Sequence, residues 1–228
     1  TPIGTARLCE LVGKGHRVVI IASDITRPSP TSKLLPPLVQ ELAAGGVNLG
    51  DVKVVFALGA HRNHSTEEMR RLAGEAIFSQ LRCEDHRIDN CVDVGHTRSG
   101  TRVEVLKDIL EYDIVVCTGN IEPHYMAGYS GGLKAILPGV CSRSTIEQNH
   151  QMMTQPGSHA GKISGNPVRE DIDDVSNLVE VDFIVNAILD DRRRIVRVVS
   201  GDPIAAHRKG AQYSDMIYKV KVPEPADI

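Results

Sequence analysis

Apolar residues along this chain come in short runs separated by polar, turn-forming segments, and their spacing predicts alternating strands and helices. Arg17 to Ala22 (RVVIIA), Lys53 to Leu58 (KVVFAL) and Asp113 to Thr118 (DIVVCT) are β-branched runs of the kind buried on both faces of a parallel sheet. Thr1 to Val12 sets Ile3, Ala6, Leu8 and Leu11 at near-helical spacing and predicts an opening helix. Ser32 is expected to cap a helix over Lys33 to Ala44 that Gly45-Gly46 ends. Ser65 or Thr66, with Glu68 nearby, starts a third helix, and Gly74 to Leu81 reads as a short fourth. Asn90 to Val94 and Thr101 to Val105 read as strands, and Lys107 to Glu111 as a helical turn. Beyond Pro138-Gly139, helices are expected over Ser144 to Thr154, over Asn166 to Leu178 with Pro167 in the first turn, and over Pro203 to Tyr218. Val181 to Leu189 and Ile195 to Ser200 form a strand pair turning through Asp190 to Arg194.

That alternation predicts an α/β fold: a three-layer, Rossmann-like, mainly parallel sheet with helices on both faces. Ligands of such sheets sit outside the carboxyl ends of the strands. Three loops leave such ends: Asp24 to Arg27, Gly59 to His64 and Gly119 to Lys134. They are expected to converge on one cleft.

Composition narrows the function. The apolar fraction is 41% but aromatics are only 4% and Trp is absent, so the core is aliphatic. A net charge of −3 gives no reason to expect nucleic acid or an anionic membrane as partner. The longest apolar runs are far too short to span a bilayer, and no signal-peptide pattern opens the chain. Five cysteines without CxxC spacing argue against a disulfide framework and point to a reduced, cytoplasmic compartment. Cys117 and Cys141 flank the third loop and read as inert buried thiols.

The loops carry the candidate chemistry. Asp24 can orient an imidazole or bond backbone N–H groups, and Arg27, held extended by Pro28, offers a fork that matches a carboxylate or phosphate. The plainer alternative is an Asx turn beside a surface Arg. His61 and His64 compete as a general base. His61 lies closer to the strand end, and the other histidine is then a helix-start residue. In the stretch from Asn120 to His150, His124 precedes the Gly131-Gly132 turn and Lys134 follows it. A desolvated amine there can bond to a carbonyl-type carbon, whereas a solvated one would only contact phosphate or backbone. His150 alone on a helix is ordinarily structural; His16, His86, His96, His159 and His207 read as structural or surface residues. No HExxH or paired-Cys zinc pattern, Walker A loop or GxGxxG fingerprint is present. Two histidines and a carboxylate anchor suit racemisation beside a carboxylate, and a 2-hydroxy acid needs an electron-accepting cofactor for that.

The motifs SDITRP, GAHR, PHYMAGYSGGLKAILPG, TIEQNH, GNPVRED and GDPIAAHRKG together resemble the nickel-dependent lactate racemase family over nearly the whole chain. The resemblance implies racemisation or epimerisation of 2-hydroxy acids through a 2-keto acid. Hydride passes to and from a nickel pincer nucleotide, a pyridinium mononucleotide whose thioamide and thiocarboxylate arms grip the metal. It also implies roles: Lys134 as covalent tether, Gly131 and Gly132 as cofactor-binding residues and His150 as nickel ligand. His61 and His124 become the acid–base pair, Arg27 the substrate-carboxylate anchor and Asp24 its neighbour that orients a catalytic histidine. Ala60 and Asn63-His64 depart from the family pattern and bear on the substrate pocket. Residues 1–221 are then an N-terminal cofactor-binding catalytic domain, and Val222 to Ile228 the start of a linker to an absent C-terminal domain, without which activity should be weak or nil. Separate biosynthetic enzymes would supply the cofactor. The rival readings are a nicotinamide-dependent dehydrogenase and a non-catalytic module that binds carboxylates or nucleotides.

Overall fold

The computed structural model describes residues 1–220, so the stretch expected to be a linker, 222–228, lies outside the described residues. Strands β1 (Val18–Ser23), β2 (Val52–Ala57), β3 (Arg82–Asp85), β6 (Ile114–Asn120), β9 (Phe183–Leu189) and β10 (Ile195–Gly201) form one six-stranded sheet in the order β10-β9-β6-β1-β2-β3. All neighbours are parallel except β9 and β10. β1 is central, pairing Val18 with Val52 on one side and with Ile114 on the other. Side chains alternate across a strand, so burial of every residue in a run requires cover on both faces. Val18, Ile20 and Ala22 enter one core cluster, and Val19 and Ile21 the other.

Helices supply that cover. On one side lie α1 (Leu8–Leu11), α2 (Thr31–Ala44), α3 (Thr66–Ala73) and α4 (Glu75–Phe78). On the other lie α5 (Arg143–Gln151), α6 (Pro167–Asp174) and α7 (Pro203–Tyr218). The three-layer α/β expectation therefore holds. Ser65 and Glu68 make the expected capping box on α3, and Gly46, at φ 93°, turns the chain out of α2. A separate hairpin, β4 (Cys91–His96) with β5 (Arg102–Leu106), lies outside the main sheet.

Two expectations need correction, and one strand carries no sequence signal. Only Leu8–Leu11 of the opening segment is helical. Pro2 and Gly4, the latter at φ 73°, interrupt the periodicity, and Ile3 instead bridges β10, its N–H donating to the Ser200 carbonyl at 2.8 Å. Helix α2 begins one residue before Ser32, which does not cap it. Arg82–Asp85 is a strand, although RCED reads as polar. As an edge strand pairing only with β2 it needs little apolar surface.

Candidate active site

The order of strands makes a crevice. The chain moves from β1 to β2 on one side, then returns to place β6 on the other, so connections diverge at the carboxyl ends of β1 and β6. At such a switch point an α/β sheet leaves room for a ligand. Here a cleft with about 910 Å3 of empty volume is lined by Ser23 and Arg27 after β1, and by Gly59, Ala60 and His61 after β2. Asn120, His124, Gly131, Gly132 and Lys134 line it after β6, with His150 from α5. The three loops thus converge as their positions predict.

The loop after β1 holds Asp24 almost fully buried, at 2% exposure. Its carboxylate accepts from the Thr26 hydroxyl at 2.9 and 3.0 Å and lies 2.6 Å from His61 Nδ1. A carboxylate only accepts, so Nδ1 carries the proton and Nε2 presents a lone pair. The Arg27 guanidinium lies 3.8 Å from the same carboxylate and remains about half exposed. The Arg27 N–H donates to the Asp24 main-chain carbonyl at 3.2 Å, so the turn is made by backbone and the carboxylate is left to Thr26 and His61.

His64 is committed elsewhere. Its Nδ1 lies 2.6 Å from Asp85 Oδ1 on β3, and its Nε2 accepts from the Ile25 N–H at 3.1 Å. With both nitrogens bonded and the ring packed edge-on to Phe56, it fastens the β1 loop to β3. The ring does not line the cleft. Of the two, only His61 lines the cleft, and only His64 has both ring nitrogens bonded within the β1 loop and β3. Asp85→Ala is expected to cost about 2 kcal/mol, since two hydrogen bonds to a carboxylate vanish, and the urea midpoint measures it.

The segment after β6 is a small hairpin, β7 (Pro123–His124) with β8 (Gly128–Tyr129). His124 sits on it, stacked on Tyr125 with centroids 4.8 Å apart. Its Nδ1 accepts from the Ala127 N–H at 3.3 Å, so the neutral ring carries its proton on Nε2. Burial, then the Lys134, Arg27 and Arg169 cations, pull this imidazole down to about 3. His61 and His124 are thus set in complementary forms, one presenting a lone pair and the other a proton.

Lys134 lies on a 3-10 turn, Gly132–Ala135, and makes no ion pair among the described residues. Burial, reinforced by Arg169 and Arg27, lowers its amine to about 7, so a large share is neutral and nucleophilic near neutral pH. Gly131 and Gly132 have φ of 75° and 60°. A Cβ on Gly131 would lie 2.7 Å from Ile121, and one on Gly132 2.8 Å from the His207 ring. Close packing as well as backbone conformation therefore requires glycine at both. His150 lines the cleft from α5, and its Nδ1 is buried without a hydrogen-bond partner. Burial and the Lys134 charge lower its pKa and keep it neutral, the form in which imidazole binds a metal. Among the described residues no group of three or more His, Cys, Asp or Glu side chains could hold a metal by itself.

Sequence reasoning missed the residues beneath the site. Arg169 is fully buried on α6, its Nε donating to the Ala127 carbonyl at 3.1 Å and its Nη2 to that of Tyr129. Asn186 on β9 accepts from the Gly132 N–H at 2.8 Å, and His207 Nε2 lies 2.9 Å from the Ser130 carbonyl on α7's side of the turn. Only the GNPVRED and GDPIAAHRKG motifs pointed to these segments, and neither assigns a role from composition. Cys117 and Cys141 are fully buried with their thiols pushed up, consistent with inert packing. No helix among the described residues is long and apolar enough to cross a membrane.

Comparison with known proteins gives concordant results. A family model described as the lactate racemase N-terminal domain matches residues 1–161. The chain is 36% identical to a lactate racemase of Thermoanaerobacterium thermosaccharolyticum, covering 100% of this chain and 54% of that protein. It is 32% identical to a lactate racemase of Lactiplantibacillus plantarum, covering 93% and 51% respectively. The lactate racemase apoprotein from the first organism superposes with a TM-score of 0.86 at 34% identity, over 93% of this chain and 52% of that one. A Thermotoga maritima protein, at 20% identity and a TM-score of 0.78, shares the fold. The chain spans about half the length of the curated relatives it matches. It belongs to the lactate racemase N-terminal domain family.

Proposed function

We propose that this chain is the cofactor-bearing catalytic domain of a lactate-type 2-hydroxyacid racemase or epimerase that works with a nickel pincer nucleotide. The observation that carries this reading is the joint placement of two histidines, one bonded through Nδ1 to a buried carboxylate and the other accepting at Nδ1 from a backbone N–H, in one cleft with a buried, partly neutral lysine. A simple binding pocket needs neither the proton carriers nor the depressed amine.

The residues fit the group. Lys134 would supply the amine for the thioamide link, and His150 a neutral imidazole, with its buried Nδ1 unpartnered, that would bind the nickel. When bound, the nickel pincer nucleotide supplies a reversible acceptor for the hydride on the substrate's hydroxyl-bearing carbon. Arg27, at the mouth of the cleft, pairs with the substrate carboxylate through its fork. His61 Nε2 takes the hydroxyl proton, and Asp24 stabilises the imidazolium that results. Loss of that proton and the hydride leaves a planar 2-keto acid, which has no handedness at the second carbon. Returning a proton to the oxygen from the opposite face needs an imidazolium, so His124 would first take up a proton from solvent and would end as the neutral ring. Proton traffic through one histidine and then the other inverts the centre.

Linking Lys134 as a thioamide removes its positive charge, the second-largest influence lowering His124. Attachment therefore raises the basicity of His124 and lets it act in both directions. His61 and Arg27 stay substantially exposed, 43% and 48%, so water reaches the cleft from one side. The longer relatives hold a further half of chain, and we assign closure of the cleft to such a C-terminal domain.

The test is intact-protein mass spectrometry with nickel analysis on the full-length protein produced together with the cofactor-building enzymes. A covalent increment mapped to Lys134, with stoichiometric nickel, is expected. An unmodified Lys134 combined with tight reversible NAD binding would sink this reading in favour of a dehydrogenase.

A further inference from the structure

The wall of the cleft opposite the histidine of β2 contains an amide with no partner. Asn120 is the last residue of β6, 4% exposed, and lines the cleft with Gly131, Gly132 and Lys134. Its Nδ2 is buried and makes no hydrogen bond among the described residues.

Neighbouring side chains bond elsewhere. Asn186 Oδ1 takes the Gly132 N–H, and its Nδ2 donates to the Val185 carbonyl. Ser130 Oγ donates to the Asn120 carbonyl at 2.9 Å and accepts from the Glu122 N–H at 3.0 Å. The backbone of Asn120 is thereby fixed while its side chain is left waiting. A buried amide left unpaired costs about 1–3 kcal/mol, so a fold keeps one where a ligand completes it. Leucine would fill the same volume without that cost.

We propose that the Asn120 side-chain amide is a ligand-binding group, donating a hydrogen bond to an oxygen of the molecule held against Lys134. The inference rests on the reading of this cleft as the cofactor and substrate site and adds a residue to it. The acceptor is an oxygen of either a pyridinium mononucleotide or a 2-hydroxycarboxylate. Both are anionic and rich in acceptors, and both would otherwise leave the amide dry.

Asn120→Leu and the near-isosteric Asn120→Asp, in cofactor-free protein, separate the possibilities. Thermal melting is followed first. Calorimetric titration then uses two probes, nicotinic acid mononucleotide and lactate. The expected result is a melting temperature for Asn120→Leu equal to or above that of the unaltered protein. Affinity for at least one probe should fall about tenfold or more in both variants, about 1.4 kcal/mol. The probe that loses affinity identifies the source of the oxygen. A marked drop in melting temperature for Asn120→Leu would mean the amide is already satisfied within the fold, and would overturn the proposal. So would unchanged affinity for both probes in Asn120→Asp, or failure of the unaltered protein to bind either. These readouts require no adduct on Lys134, so the mass measurement and the titrations fail independently.

Discussion

Lys134→Met stabilises the cofactor-free protein at pH 6 and leaves its stability almost unchanged near pH 11. The sign follows from where the amine titrates. In the fold it does so at about 7, and in the unfolded chain near the ordinary 10.5. Between those values the unfolded state binds more protons, so stability rises with pH across the window. Below about 7 the charged amine is held in the cleft at full cost, and methionine removes that cost. At 1.36 kcal/mol per unit the gain at pH 6 is on the order of 5 kcal/mol. Equilibrium urea unfolding at a series of pH values measures it. The same substitution eliminates the covalent increment in protein made with the cofactor machinery. A residue kept at a cost to the empty fold, and needed only when a partner is attached, is a functional residue. Destabilisation by Lys134→Met at pH 6 would show instead that the lysine packs for stability.

Arg169→Met has the opposite sign and a comparable size. The guanidinium is fully buried and bonded to the carbonyls of Ala127 and Tyr129, with Asp173 at 3.4 Å. Methionine leaves two carbonyls and part of a carboxylate without donors, a loss of about 3–5 kcal/mol. Asp173 keeps Arg208 as a partner, which places the effect toward the lower end. Urea midpoints measure the loss. A second readout distinguishes a role at the site from a role in packing alone. Arg169 is the largest charge lowering Lys134, so the pH midpoint for amine labelling of Lys134 should move above 7 in the variant.

Much of the architecture was legible because its signal is local. The runs at Arg17, Lys53 and Asp113 have both faces buried, and apolar β-branched residues on both faces are visible without knowing the neighbours. The convergence of the three loops follows from parallel pairing alone, since parallel strands put their carboxyl ends together. What was not legible depends on distant partners. β3 is polar because one edge is free, so RCED carries no strand signal, yet it supplies the Asp85 that fixes His64. The ambiguity between His61 and His64 dissolves only when Asp24 and Asp85, far apart in the chain, are seen to claim one ring each. Arg169 looks like a surface residue of a polar helix until the 127–129 carbonyls come down on it. Asn120 is one more asparagine after a strand until its unbonded amide is found buried.

The two histidine rings proposed to carry protons depart from strands that are not neighbours. His61 follows β2 and His124 follows β6, with β1 between them. Two interstrand steps amount to about 10 Å at the strand ends. The backbone ladder of the sheet therefore sets the spacing from which the two loops start, by main-chain hydrogen bonds that no side chain can retune. What the loops add to that spacing is open to substitution; the distance between their roots stays where the register of three strands puts it.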